Sequence, residues 1–176
     1  DHDRLFDVHH PPEKPSGLSL ETYFKSTDHP LLKYWLDFKN LNSRNCDESL
    51  QRLMVLSNKF KIKRHNIIVE AFTPENLQAF MDEGFLVSWY LPQDLFLLEQ
   101  SKLETSIVQI EKRLNAYPVD FISTNYTDYQ VLKHYFPQQK YLFWFTTYGS
   151  LNKVSARLLL YKILLDENTE VLLISF

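Results

Sequence analysis

A chain of 176 residues, 44% of them hydrophobic, is long enough for one domain with a substantial core. A net charge of −3, with no basic run beyond Lys59, Lys61, Lys63 and Arg64, argues against a nucleic-acid partner. Three glycines leave no glycine-rich phosphate loop, and a single cysteine, Cys46, leaves no intrachain disulfide and no cysteine-ligated metal.

No apolar run has the length of a membrane span, so no transmembrane segment is expected, and the first residues do not read as a signal peptide. The abrupt start at Asp1-His2-Asp3 is expected of a processed or trimmed chain. A short extended run, Leu5 to Val8, ends at His9-His10-Pro11-Pro12-Glu13, where two prolines stop regular structure. Ser19 reads as the N-cap of a short helix through Leu20, Tyr23 and Phe24. Tyr34 to Asn40 then reads as a strand with Trp35, Asp37 and Lys39 on one face and Tyr34, Leu36 and Phe38 on the other. A carboxylate and an ammonium sharing one face are either a structural pair or part of a site.

A helix follows from about Asp47 to Phe60, with Leu50, Leu53, Met54 and Leu56 at helical spacing, and then a strand from Asn66 to Phe72. Thr73-Pro74-Glu75 opens another helix that stops at Gly84. Further elements are a strand from Phe85 to Leu91, a helical region from Leu95 to Asn115, whose charges suggest a solvated outer face, and a strand from Val119 to Thr124. A helix from Asp128 to Tyr135, a strand from Tyr141 to Thr146, a helix from Leu151 to Leu165 and a strand from Val171 to Phe176 complete the chain. Strands alternating with helices, several of them continuously apolar, predict an α/β protein with a parallel sheet. Repeated strand-helix units without a Gly-rich turn favour a TIM-type (β/α) barrel over a dinucleotide-binding sheet. Such a barrel takes eight strands and about 250 residues. Residues 1–176 are therefore expected to form a single, partial barrel domain whose front strands precede Asp1.

Active sites of such barrels lie at the carboxyl ends of the strands. Asp37, Lys39, Glu70, Tyr90, Thr124, Asn125, Thr146 and Thr147 are expected there, with His9 and His10 where the first run enters a loop. A carboxylate for a cation, a lysine for an anion and a histidine for a proton suit phosphoryl chemistry. The aromatic residues Trp35, Trp89, Tyr90, Phe143 and Trp144 have a plain role in packing.

The succession His10-Pro11-Pro12-Glu13, then Gly17-Leu18-Ser19-Leu20-Glu21-Thr22-Tyr23-Phe24, then Leu36-Asp37-Phe38-Lys39-Asn40 resembles the glycerophosphodiester phosphodiesterases and the wider phosphatidylinositol-phospholipase-C-like barrels. The variant with His10-Pro11-Pro12-Glu13 and Asp37-Phe38-Lys39 looks closer still to the menorin-like branch of that superfamily. Glu70-Ala71-Phe72-Thr73-Pro74-Glu75 and Phe143-Trp144-Phe145-Thr146 resemble later strands of the same family.

The resemblance implies a hydrolase acting with a divalent cation, Ca²⁺ or Mg²⁺, on a small-molecule phosphodiester or a lipid headgroup, within lipid metabolism. It implies His10 as a catalytic histidine, Lys39 as the catalytic lysine near the phosphate, Asp37 as a metal ligand, and Glu70 and Trp144 as substrate-binding residues. Three departures stand out: Asp37 is shorter than the family's glutamate, Pro11 replaces an acidic residue, and the family's first histidine and its glutamate-any-aspartate pair would precede residue 1. Two further readings stay open. One is a catalytically inactive barrel acting as a binding or interaction domain; the other is a sugar hydrolase using Asp37 and Glu70 as paired carboxylates. Glu70 is also a candidate to pair with Lys39 inside the barrel.

Overall fold

The computed structural model describes residue 6 and residues 17–27, 32–91, 94–146 and 154–175. Its elements are α1 (Leu20–Ser26), β1 (Tyr34–Asp37), α2 (Cys46–Lys59), β2 (Ile67–Ala71), α3 (Gln78–Asp82), β3 (Leu86–Tyr90), α4 (Gln100–Ala116), β4 (Phe121–Asn125), α5 (Tyr129–Tyr135), β5 (Lys140–Thr146), α6 (Val154–Leu165) and β6 (Thr169–Ser175). All five neighbouring strand pairs are parallel and the sheet order follows the chain order. Each helix therefore returns the chain to the base of the next strand.

The α/β alternation matches the sequence, but the expected TIM-type barrel does not form. The six strands curl into a half-barrel: among the described residues β1 pairs with β2 alone and β6 with β5 alone. A closed barrel needs an unbroken ring of ladder hydrogen bonds. Here the two edges are linked at their base by side chains, Lys33 Nζ lying 3.1 Å from Glu170 Oε1. The run from Leu5 to Val8 lies outside the described residues except for Phe6, whose carbonyl accepts from Leu20 N at 2.9 Å and whose ring stacks on Phe38 at 4.9 Å.

Alternation along the strands separates two apolar layers. The convex side packs Tyr34, Val69 and Val87 against Phe24, Leu53 and Phe80, and further round it packs Trp89, Ile122, Tyr141 and Phe143 against Leu132 and Ile163. The concave side holds a smaller cluster, Ile68, Phe121 and Leu142 with Trp35, Leu86 and Val171, which plugs the base of the half-barrel. Above this plug the inward residues become polar.

Local chemistry sets most element ends. Ser19 caps α1, its Oγ accepting from Thr22 N at 3.1 Å. Gly84, at φ 84°, ends the turn after α3 in a conformation that favours glycine. Two expected helices start differently. The Thr73 side chain makes no capping bond, and Pro74–Leu77 is a 3₁₀ turn ahead of α3. Leu95–Leu97 is a separate 3₁₀ turn, because Leu98 is extended (ψ 140°) and breaks it from α4.

That 3₁₀ turn is held by a buried carboxylate. Asp128 Oδ1 accepts from Phe96 N at 2.9 Å and Oδ2 accepts from Thr124 Oγ1 at 2.6 Å. Thr124, expected at the site, thus faces the helix layer. Burial raises the Asp128 pKa to about 6, against the opposing pull of the Thr124 and Phe96 hydrogen bonds. Asp128→Ala would leave a buried hydroxyl and a backbone N–H without partners, and is expected to lower unfolding free energy by about 2–4 kcal/mol in urea denaturation. Thr124→Val, which keeps the Phe96 bond, is expected to cost less; an unchanged midpoint for Asp128→Ala would show that the clamp contributes nothing.

Candidate functional site

Above the apolar plug, register places Asp37 beside Glu70 and Glu70 beside Ser88 on three successive strands. Parallel pairing without a register shift makes these inward side chains immediate neighbours. Glu70 is only 1% exposed, and its Oε2 accepts from Ser88 Oγ at 3.1 Å. Burial is the largest influence on its ionisation and raises the pKa to about 7; the Asp37 charge raises it further, while Ser123, Ser88 and Trp35 pull it down. Trp35 Nε1 is buried without a partner at hydrogen-bond geometry, so its effect on Glu70 is that of a nearby dipole.

Lys39 stands just past the end of β1. Phe38 N donates to the Glu70 carbonyl at 2.8 Å, extending the ladder by one step, and the chain then turns through Leu41 N to Phe38 O at 3.0 Å. Asn42 and Asn45 donate their side-chain amides to the Asn40 carbonyl at 2.8 and 3.0 Å, fixing the loop that carries Lys39. From this turn the lysine reaches back, and its Nζ lies 2.6 Å from Asp37 Oδ2 with both side chains about one-third exposed (28% and 32%). The same ammonium sits 5.1 Å from the Tyr90 ring centroid and 5.8 Å from that of Phe72, within cation–π range.

An aromatic wall continues from there. Tyr90 stacks on Trp144 with centroids 4.7 Å apart and planes 13° from parallel, and Phe72 meets Tyr90 edge-on at 4.5 Å. Asn125 lies in register with Trp144 but its Oδ1 is occupied by Thr127, capping the turn after β4. Trp89 faces the other way, donating Nε1 to the Phe72 carbonyl at 3.1 Å beneath the Arg113 guanidinium.

The structure therefore brings Asp37, Lys39, Glu70 and Trp144 to one end of the half-barrel. His9 and His10 lie outside the described residues. Lys39 pairs with Asp37 and not with Glu70. Phe72, Ser88 and Ser123 join the cluster although the sequence analysis did not single them out. Small hydroxyl residues in apolar strands carry no signal of their own, but Glu70 on an inward face calls for partners, and the next two strands of the sheet offered a serine each.

A divalent cation needs several oxygen ligands. Among the described residues there is no group of three potential metal-ligating side chains. Asp37 already carries Lys39, and Glu70 is held against Ser88 in a buried position that favours its neutral form. These two carboxylates do not by themselves fit a divalent-metal centre. Neither a scan against protein-family models nor a search of curated proteins finds a match for this chain.

Glu70 links this site to stability. Its pKa is near 4.5 when unfolded and about 7 when folded, so the folded state holds the proton more tightly. The stability this contributes is complete below about pH 4.5 and is lost as pH rises through 7, by roughly 3 kcal/mol in total. Glu70→Gln, which retains an acceptor for Ser88, is expected to flatten that decline and to be more stable than the native chain at pH 8. Parallel stability-against-pH curves for the two proteins would refute the assignment.

Proposed function

We propose that the strand-end cluster binds a phosphodiester, either a small molecule or a lipid headgroup, and that the chain belongs to a phosphodiester hydrolase. The observation that carries this reading is the Lys39 ammonium held at the mouth by Asp37 and the rings of Tyr90 and Phe72. An ammonium at a strand end neutralises a phosphate oxygen, and phosphoryl transfer depends above all on such positioning and charge neutralisation. Trp144 and Tyr90 offer a flat apolar wall to the remainder of the ligand. Glu70, beneath them, tunes the charge of the cluster and not the surface the ligand touches.

A second reading, a binding domain without catalysis, is favoured by the Asp37–Lys39 pair and by the shortage of cation ligands among the described residues. The sugar-hydrolase reading is disfavoured, because Glu70 is too deeply covered to meet a glycosidic bond.

Calorimetric titration of glycerophosphocholine, with and without Ca²⁺ or Mg²⁺, tests the proposal alongside a hydrolysis assay. Lys39→Met is expected to weaken binding about tenfold, the loss of one partly screened charge contact. Asp37→Asn separates the two readings. Tighter binding of a phosphodiester that neither protein cleaves marks a binding domain, in which the substitution frees Lys39; cleavage by the native chain that Asp37→Asn abolishes marks a hydrolase. Identical affinity for the native protein and Lys39→Met would sink both.

A further inference from the structure

The Lys39 ammonium fills a cation box at the strand-end rim. Asp37 Oδ2 lies 2.6 Å from it, the distance of a charge-assisted hydrogen bond from an N–H donor. The Tyr90 and Phe72 ring centroids lie 5.1 and 5.8 Å from the same nitrogen, and Trp144 lengthens the wall by stacking on Tyr90. The occupant of the box is thus a primary ammonium on a methylene stem. Phe72 is 38% exposed, so the box opens to solvent at the mouth.

A phosphate arriving here meets a shortage of positive charge. Lys39 is already balanced by Asp37, and among the described residues no second cation lies over Phe72, Tyr90 or Trp144. Burial is the first cause that raises the Tyr90 pKa; of the charges around its hydroxyl Lys39 lowers it, while Asp37, Glu70 and Asp94 raise it. One ammonium faces several acids. Were Lys39 to turn to a purely anionic ligand, Asp37, about one-third exposed and beside Glu70, would lose its partner, a penalty that offsets the phosphate contact.

We propose, resting on the phosphodiester reading above, that the ligand is a zwitterion whose headgroup carries a primary ammonium, as a phosphoethanolamine does. The ligand's ammonium replaces that of Lys39 between Asp37, Phe72 and Tyr90, and Lys39 turns to the ligand's phosphate. One ion pair becomes two, and no charge is left without a partner. The shift required is small. The ligand's ammonium stands two carbons from its ester oxygen, and the flexible stem of Lys39 can move its charge that far while Asn42 and Asn45 hold the turn beneath it. A quaternary ammonium suits the rings but has no N–H for Asp37, and an uncharged headgroup leaves Asp37 without a cation.

Titration of glycerophosphoethanolamine, glycerophosphocholine and glycerophosphoglycerol, each with and without Mg²⁺, tests the proposal. Preference is read as the ratio of Kd values, or of kcat/KM values where the chain cleaves the ester. The ethanolamine ester is expected to be favoured about tenfold over the glycerol ester, the scale of one charge-assisted hydrogen bond, with the choline ester between them. Asp37→Asn is expected to erase this preference, weakening the ethanolamine ester and tightening the glycerol ester, with the circular dichroism spectrum and melting point retained. Phe72→Leu, at an exposed ring, is expected to narrow it. Equal affinity for the three esters, a choline ester held as tightly as the ethanolamine ester, or a preference unchanged in Asp37→Asn and Phe72→Leu would overturn the headgroup assignment while the phosphodiester reading stands. Binding of none of the three would overturn both.

Discussion

A carboxyl group held out of water in the middle of a parallel sheet governs the open end of this protein. Glu70 has the apolar plug below it, the Asp37 carboxylate beside it and serine hydroxyls from two later strands around it. Each neighbour follows from the unshifted pairing of β1, β2 and β3. Because Glu70 is desolvated and close to another acid, it retains its proton to about neutral pH. The formal negative charge available at the rim is then mostly that of Asp37, and one lysine suffices to balance it.

That balance accounts for the course of the chain after β1. The asparagines at 42 and 45 fix a tight turn, so Lys39 is no longer on a strand, yet it returns its ammonium to the Asp37 carboxylate. The rings of Phe72 and Tyr90 cover the ammonium, and Trp144 extends the wall by stacking on Tyr90. Charge and aromatic surface thus meet at one rim, an arrangement suited to an anion attached to an organic group. On the opposite side of the sheet the same strands carry Trp89, Ile122 and Phe143 into an ordinary helix-covered core. The outer helix α6 is the exception to that ordinary layer, apolar toward solvent as well as toward the sheet.

The aromatic and charged residues that attracted notice in the sequence divide by parity. Trp35, Asp37, Glu70, Tyr90 and Trp144 all turn inward, as alternation requires, while Thr124 and Trp89 turn outward and serve packing and clamping. Alternation alone does not say which of a strand's two faces points inward, and Thr124, expected at the site, turns outward. Parity itself is local, and along β1 it was legible without a structure. The partners of Glu70 were not: Ser88 and Ser123 lie 18 and 53 positions away, and only the pairing of β2, β3 and β4 brings them alongside. The pairing of Lys39 was likewise undecided, since a flexible stem can reach Asp37 or Glu70, and the turn set by Asn42 and Asn45 chose between them.

By itself the sequence determined the alternation of six strands with helices, the capping of α1 by Ser19, the break at Gly84 and the opposite facing of successive residues along β1. These depend on contacts within a few residues, through hydrogen-bond periodicity and backbone sterics. Only the tertiary structure decided that the sheet curls without closing, which strand lies beside which, and that Glu70 is covered while Asp37 remains about one-third exposed. Curl and closure depend on strand count and on how far the edges lie apart, quantities that belong to the whole sheet and that no short stretch of chain contains.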